Sequence, residues 1–273
     1  MIEAGPGGPS PENDNGPRGN EPPFAADMLM ALRFFSRLPT GDLPHRRPDL
    51  NRIAPLLPLV SVLIGAAPAA VLLLLAWAGA PLLFAAVAAV AVQIVVTGAM
   101  SEDALADAAD GLFGGQTPER RLEIMKDSRH GTYGVCAIAL LIAFRVTAFG
   151  STPSALEAAG LVIATGAMAR SGALWLAVAL PAARSGGASA SAGSVSIRNF
   201  AIGAGLVAVL AFVFAGFATS ILGLLVAAAA CAAVAAGWVV LCRRLVGGQT
   251  GDLIGALQAL LEIAALTAFM VFV

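Results

Sequence analysis

IAPLLPLVSVLIGAAPAAVLLLLAWAGAPLLFAAVAAVAVQIVVTGAMS, residues 53–101, carries no charged side chain. A helix needs about 20 apolar residues to cross ~30 Å of hydrocarbon. The run is therefore long enough for two crossings, and Gly79-Ala80-Pro81 is where a turn between them is cheapest. Outward from this stretch the pattern repeats. Residues 134–150 make a third span, interrupted only by Arg145, and 155–181 a fourth, with Arg170 inside it. Residues 199–242 are uncharged and double length, dividing near 216–220, and 253–273 form the last span, with Glu262 at its middle. The expectation is an all-α, polytopic membrane helical bundle of about seven transmembrane helices.

Composition agrees. The chain of 273 residues is 58% hydrophobic and 12% charged, where soluble domains carry about a quarter charged residues. Its mean hydropathy is +0.84. A net charge of −1 argues against a nucleic-acid partner. Cys136, Cys231 and Cys242 have no metal-ligand spacing and read as packing residues. Neither His45 nor His130 has a companion at ligand spacing along the chain.

The basic residues orient the bundle. Arg18, Arg33, Arg37, Arg46, Arg47 and Arg52 precede the first span. Arg120, Arg121, Lys126 and Arg129 lie between the second and third, Arg184 and Arg198 between the fourth and fifth, Arg243 and Arg244 between the sixth and seventh. The alternate junctions, near 79–81, 150–155 and 216–220, have no Lys or Arg. Positively charged loops stay inside, so the N-terminus and every basic loop are expected in the cytoplasm. Residues 1–23, rich in Pro, Gly and Asn, are expected to be a disordered tail without signal-peptide character. FAADMLMALRFFSRL, 24–38, is too short and too charged to span. Met28, Leu32, Phe35 and Leu38 share one helical face, as in an interfacial helix.

Glu102, Asp103, Asp107 and Asp110 follow the first uncharged run directly. Asp103, Asp107 and Asp110 are spaced i, i+4, i+7 and fall within about 60° on a helix. Like charges on one face repel, and more strongly beside a bilayer. A divalent cation is the natural counter-charge, and oxygen-only ligands select Mg²⁺, Ca²⁺ or Mn²⁺ rather than zinc. Downstream, PERRLEIMKDSRHGTYG reads as a second short helix on which Glu123 and Asp127 mix with Arg120, Arg121, Lys126 and Arg129. Carboxylates for a metal beside guanidinium groups for phosphate oxygens suit a cytoplasmic acidic/basic segment over 102–131. The late loop RRLVGGQTGD, 243–252, is glycine-rich and opens onto a helix, a plausible anion site without the Lys-Ser/Thr of a Walker loop. Asp252 is either a metal ligand or an N-cap. Arg145, Arg170 and Glu262 lie at membrane depth, where charges are functional or paired with one another. Acids, basic helix and glycine loop all fall on the cytoplasmic face, which points to Mg²⁺-dependent transfer of a phosphoryl-type group at the membrane surface.

At these residues the sequence resembles the cobalamin synthase (adenosylcobinamide-GDP ribazoletransferase) family. The family's HEDGLADTADG, RLEIMKDSRxGTYG, FxTRLP and GGQTGD patterns appear as SEDALADAADG (101–111), RLEIMKDSRHGTYG (121–134), FFSRLP (34–39) and GGQTGD (247–252). Ser101 stands where the pattern has histidine and Ala104 where it has glycine. The resemblance implies the final assembly of cobalamin in the cell inner membrane: adenosylcobinamide-GDP joined to α-ribazole or its 5′-phosphate, with release of GMP and Mg²⁺ as cofactor. It implies that Asp103, Asp107, Asp110 and Asp127 hold one or two Mg²⁺, and that one of these or Glu102 takes the hydroxyl proton. By the same resemblance Arg37 and Arg129 meet phosphate oxygens, and Gly248, Gln249, Thr250 and Asp252 line the opposite wall. Beyond substrates and lipid, other cobalamin-assembly enzymes or a second copy of the chain are candidate partners.

A CDP-alcohol phosphotransferase is a rival, since Asp107-x-x-Asp110-Gly111 opens that family's acidic signature. Its Ala-Arg is replaced by Gly114-Gly115, and its closing aspartate by Gly131. A transporter would also suit intramembrane charges, but no internal repeat is visible. A membrane scaffold would have no use for the dense acid–base segment.

Overall fold

The computed structural model describes residues 23–41, 48–183 and 193–272. Among these, twelve helices follow in order: α1 (Pro23–Phe35), α2 (Leu50–Ile53), α3 (Leu57–Trp77), α4 (Leu82–Thr97), α5 (Met100–Gly114), α6 (Pro118–Ile124), α7 (Thr132–Gly150), α8 (Ala155–Ala173), α9 (Trp175–Ala179), α10 (Ile197–Ala215), α11 (Ile221–Val246) and α12 (Gly251–Phe272). There are no strands among the described residues, only one isolated bridge between Ala182 and Gln249. The tail expected to be disordered lies outside the described residues up to its last residue, Pro23, which opens α1; His45, Arg18, Arg46, Arg47 and Arg184 lie outside them as well.

Six segments are long and apolar enough to cross a membrane: α3, α7, the α8–α9 unit, α10, α11 and α12. Their edges follow local chemistry. The hydroxyls of Ser154, Ser196 and Ser220 accept from the amides of Glu157, Asn199 and Gly223, capping α8, α10 and α11 where the apolar runs begin. Gly247, at φ +77°, ends α11 in the left-handed conformation.

The second crossing differs from the plain span expected over 81–101. α4 has 16 residues, about 24 Å at 1.5 Å per residue. The chain then bends by 84° into α5, and the two helices together make up the seventh candidate span. Gly98 (φ +65°) and Ala99 (φ +57°) are both left-handed, and two such residues in succession turn the axis sharply. Glycine is required at 98 for a second reason: a Cβ there would lie 2.5 Å from Arg37 Nε. The Arg37 amide donates to the Val96 carbonyl at 2.7 Å, so the segment after α1 is stitched to the bend.

Three apolar clusters fill the bundle. One, built on Leu72, Phe149, Leu161 and Phe269, joins α3, α4, α7, α8 and α12. A second, with Leu105, Leu112, Met125, Leu141, Leu253 and Leu257, lies beneath α5 and α6. In the third, α1 packs Ala31 and Phe35 against Ile53, Leu57 and Leu174. Asp27 of α1 also pairs with Arg52 at 2.7 Å. The face expected to lie on lipid is thus partly turned onto the bundle.

Candidate active site

α5 is amphipathic in a particular sense. Leu105, Ala108 and Leu112 are buried in the second cluster, while Asp103 and Asp107 point outward from it, their side chains 66% and 16% exposed. Close approach to α12 is possible because Gly255 has no side chain; a Cβ there would meet Ala104 Cβ at 2.5 Å. The Ala104 methyl fills that space.

Asp110 faces the other way. It is 8% exposed and accepts from the amides of Gly131 at 2.6 Å and Gly134 at 2.9 Å. It therefore caps α7 from a different helix, with its negative charge at the positive end of the α7 dipole. Any side chain at Gly131 or Gly134 would collide with the Asp110 carboxylate. This clamp fixes the turn that carries His130. The imidazole stands over α5 with Nε2 3.7 Å from Asp103 Oδ1 and Nδ1 3.6 Å from Asp107 Oδ1. Asp103, Asp107 and His130 each offer an atom within 4.8 Å of the other two.

Asp107 and its neighbours stand at the level where α7 and α12 begin, outside the six full-length spans. Partial burial, then the charges of Asp103 and Asp252, hold the Asp107 carboxyl up to about 6 from 3.8, countered in part by His130. Asp252, in the first turn of α12, is thus within electrostatic reach of Asp107. The N-cap of α12 is instead Thr250, whose hydroxyl accepts from the Leu253 amide at 3.2 Å. In the glycine-rich loop the Gly247 amide donates to the Cys242 carbonyl and the Gln249 amide to Pro181. Gly248 lies where a Cβ would be 2.6 Å from the Pro181 carbonyl. The Gly247 amide, expected to be open for an anion, is therefore committed to structure, as is that of Gln249 beside it. The Gln249 side chain is 3% exposed, and its Oε1 has no partner.

Glu102 is placed apart from Asp103 and Asp107. It is 4% exposed and pairs with Arg145 of α7, itself fully buried. The same guanidinium donates to Glu262 of α12 at 2.7 and 3.1 Å and to Ser101 Oγ at 3.4 Å. Ser101 in turn donates to Glu102 Oε2 at 3.2 Å, and Gln93 of α4 to Glu262 at 3.0 Å. Arg170 of α8, 3% exposed, lies within electrostatic reach of Glu262. Two acids and two bases balance within the bundle, so the charges at membrane depth answer one another. Both Glu102 oxygens are engaged. An imidazole at position 101 would sit inside this network.

On the basic segment, Asp127 is bound by its neighbour: Arg129 donates to it at 3.0 and 2.7 Å and holds its carboxyl down to about 2. Arg120 pairs with Glu123 at 2.6 Å. Arg121 ties α6 to the ends of α5 and α11 through the Leu112 and Leu245 carbonyls. Arg37 is exposed beside the α4–α5 bend. The structure therefore brings Asp103, Asp107 and His130 together, with Asp252 within electrostatic reach of Asp107, uses Asp110 as an anchor, and leaves Asp127 in an exposed pair. His130 escaped the sequence reading because its companions lie 23 and 27 positions upstream (130 − 107 and 130 − 103), and no local spacing rule connects them.

These features define a polytopic α-helical membrane protein with a carboxylate site where its spans end. The sequence family described as cobalamin-5-phosphate synthase matches residues 27–270, and the chain belongs to it. Among curated proteins, it is 39% identical over 257 residues to an adenosylcobinamide-GDP ribazoletransferase of Azorhizobium caulinodans, covering 90% of this chain and 96% of that one. Proteins of the same name from Rhizobium meliloti (40% over 250 residues, 89% and 95% covered) and Rhizobium etli strain CFN 42 (41% over 254 residues, 90% and 96% covered) are similar to the same extent. No solved structure matches the chain.

Proposed function

We infer that this chain joins adenosylcobinamide-GDP to α-ribazole or its 5′-phosphate with release of GMP. Family membership across residues 27–270 carries the reading, and the closeness of Asp103 and Asp107, with Asp252 within electrostatic reach of Asp107, supports it. A ribazole hydroxyl attacks the phosphorus that bears the cobinamide arm, the bond to the GMP oxygen breaks, and the hydroxyl proton passes to a carboxylate of this group. Glu102 is not that acceptor, because Arg145 and Ser101 occupy its oxygens.

The donor set fits a divalent cation: Asp103 and Asp107 are close and outward-facing, and Asp107 is crowded by negative charge. Asp103 and Asp107 would hold Mg²⁺, with Asp252 approaching from the facing wall. Bound there, Mg²⁺ would neutralise charge on the diphosphate. Arg37 and Arg129 would meet phosphate oxygens, Arg129 by exchanging its hold on Asp127. Gly248, Gln249 and Thr250 shape the wall on the α12 side. The cytoplasmic face of the inner membrane is the proposed location, supported by the asymmetry of Lys and Arg among the loops.

The test is GMP release from adenosylcobinamide-GDP and α-ribazole by purified protein, with and without Mg²⁺. Release that depends on the cation and falls by ~10³-fold or more in Asp107→Asn is expected. Undiminished release by Asp107→Asn would remove the assignment of the site.

A further inference from the structure

We propose that His130 is a third ligand of the divalent-cation site, and that its nitrogen gives this chain a preference for a first-row transition ion such as Mn²⁺ over Mg²⁺. The inference rests on the reading of Asp103 and Asp107 as metal ligands and goes beyond it by assigning the ion class.

The distances are the first argument. At 3.6 and 3.7 Å, the imidazole nitrogens are beyond the ~2.7–3.2 Å of an N–H···O hydrogen bond, so the ring is not held by either carboxylate. Ligand atoms about 2.1 Å from one octahedral cation lie roughly 3.0 to 4.2 Å apart. All three side chains can present atoms within 4.8 Å of one another, close to that spacing.

The second argument is that the ring is placed by the fold. Asp110 grips the amides on either side of Thr132-Tyr133, and the glycines at 131 and 134 are required for that grip. Residue 130 is thereby held over the i, i+4 pair of α5. The third is charge. Among the described residues no lysine or arginine lies within ion-pair distance of Asp103 or Asp107; His130 is the one basic group near both. The nearby arginines are engaged elsewhere, Arg120 by Glu123 and Arg129 by Asp127. An ion bound between the two carboxylates would meet their charge, and the imidazole offers it one nitrogen donor. Carboxylate-only sites suit Mg²⁺, whereas an imidazole nitrogen raises affinity for transition metals in the Irving–Williams sense.

Mn²⁺ alone, titrated into the purified full-length chain in detergent, tests this by electron paramagnetic resonance and calorimetry. The wild type is expected to bind Mn²⁺ with a ¹⁴N modulation in the pulsed spectrum. His130→Ala and His130→Gln should lose that modulation and bind Mn²⁺ about 10-fold more weakly, the size expected for losing one ligand, while Mg²⁺ affinity changes by less than about 3-fold. Unchanged melting temperatures would establish that both variants fold. A wild-type Mn²⁺ spectrum without nitrogen coupling, coupling that survives both substitutions, or equal weakening for both ions would overturn the proposal. The transferase reading stands or falls separately on GMP release, which can persist when nitrogen coupling is absent and can fail when it is present.

Discussion

Asp107 is the residue where burial and function meet. Its carboxyl is held up to about 6, so between pH ~4 and 6 the folded chain keeps a proton that the unfolded chain has lost. Stability from this group is therefore greatest at low pH and declines as pH rises to about 6, then stays flat. At the proposed site a bound cation would replace that proton. Mg²⁺ affinity measured by calorimetry should rise about tenfold per pH unit below 6 and level off above 7. Asp107→Asn should abolish this pH dependence. It should also leave the metal-free protein at pH 8 no less stable in a thermal melt, because the substitution removes a crowded charge. Asp110 behaves differently although it lies on the same helix. Asp110→Ala leaves two backbone amides without their acceptor, at a cost of ~1–3 kcal/mol, and frees the turn bearing His130. A lowered melting temperature together with weaker metal binding is expected. The Asp103/Asp107/Asp110 spacing was legible as one helical face, but the roles were not: Asp110 is diverted by the arrival of Gly131 and Gly134 from a distant part of the chain.

At the scale of elements, the sharp bend between α4 and α5 does most to shape the site. It turns the chain back so that α5 lies against α7 and α12, whereas an uninterrupted helix would carry the acids away from both. Gly98→Ala introduces a strained left-handed alanine and a clash with Arg37; a loss of at least ~1–2 kcal/mol is expected, read as a lower melting temperature. The same end of α5 is held by Arg145, through Glu102 and Ser101. Arg145→Met strands Glu102 and Glu262 in the bundle and should cost about 3–5 kcal/mol. Neutralising both acids in the same chain, as Glu102→Gln and Glu262→Gln, should recover much of that loss in the same melt. Hydropathy located the helices but could not reveal the bend, since a lone glycine in an apolar run is also common within straight spans. It likewise flagged Arg145, Arg170 and Glu262 as costly without stating which would pair, because pairing depends on which helices become neighbours.

For the whole molecule, the distribution of Lys and Arg supports the proposed orientation, with the basic loops inside. Single cysteines introduced as Ala80→Cys, Ser151→Cys and Gly216→Cys in a chain otherwise free of cysteine should react with an impermeant maleimide from outside the cell. Gln116→Cys should react only after the membrane is opened. Labelling of Gln116→Cys in intact cells would invert the proposed topology and with it the proposed cytoplasmic placement of the site. The three native cysteines must be replaced first, since Cys136 is exposed on α7.

The sequence by itself determined the class of molecule, the approximate position of its six long spans, and the helical face that carries Asp103 and Asp107. Each follows from local forces: the insolubility of uncharged runs in water, the capping of helix ends by serine, and the 3.6-residue period. Tertiary structure alone decided that Glu102 turns inward to Arg145, that Asp110 becomes a cap for α7, and that His130 joins Asp103 and Asp107. These outcomes depend on contacts between distant segments; in the same network Gln93 meets Glu262 across 169 positions. The energy of such contacts comes from charge and hydrogen-bond satisfaction in a low-dielectric interior, which exists only once the helices have packed.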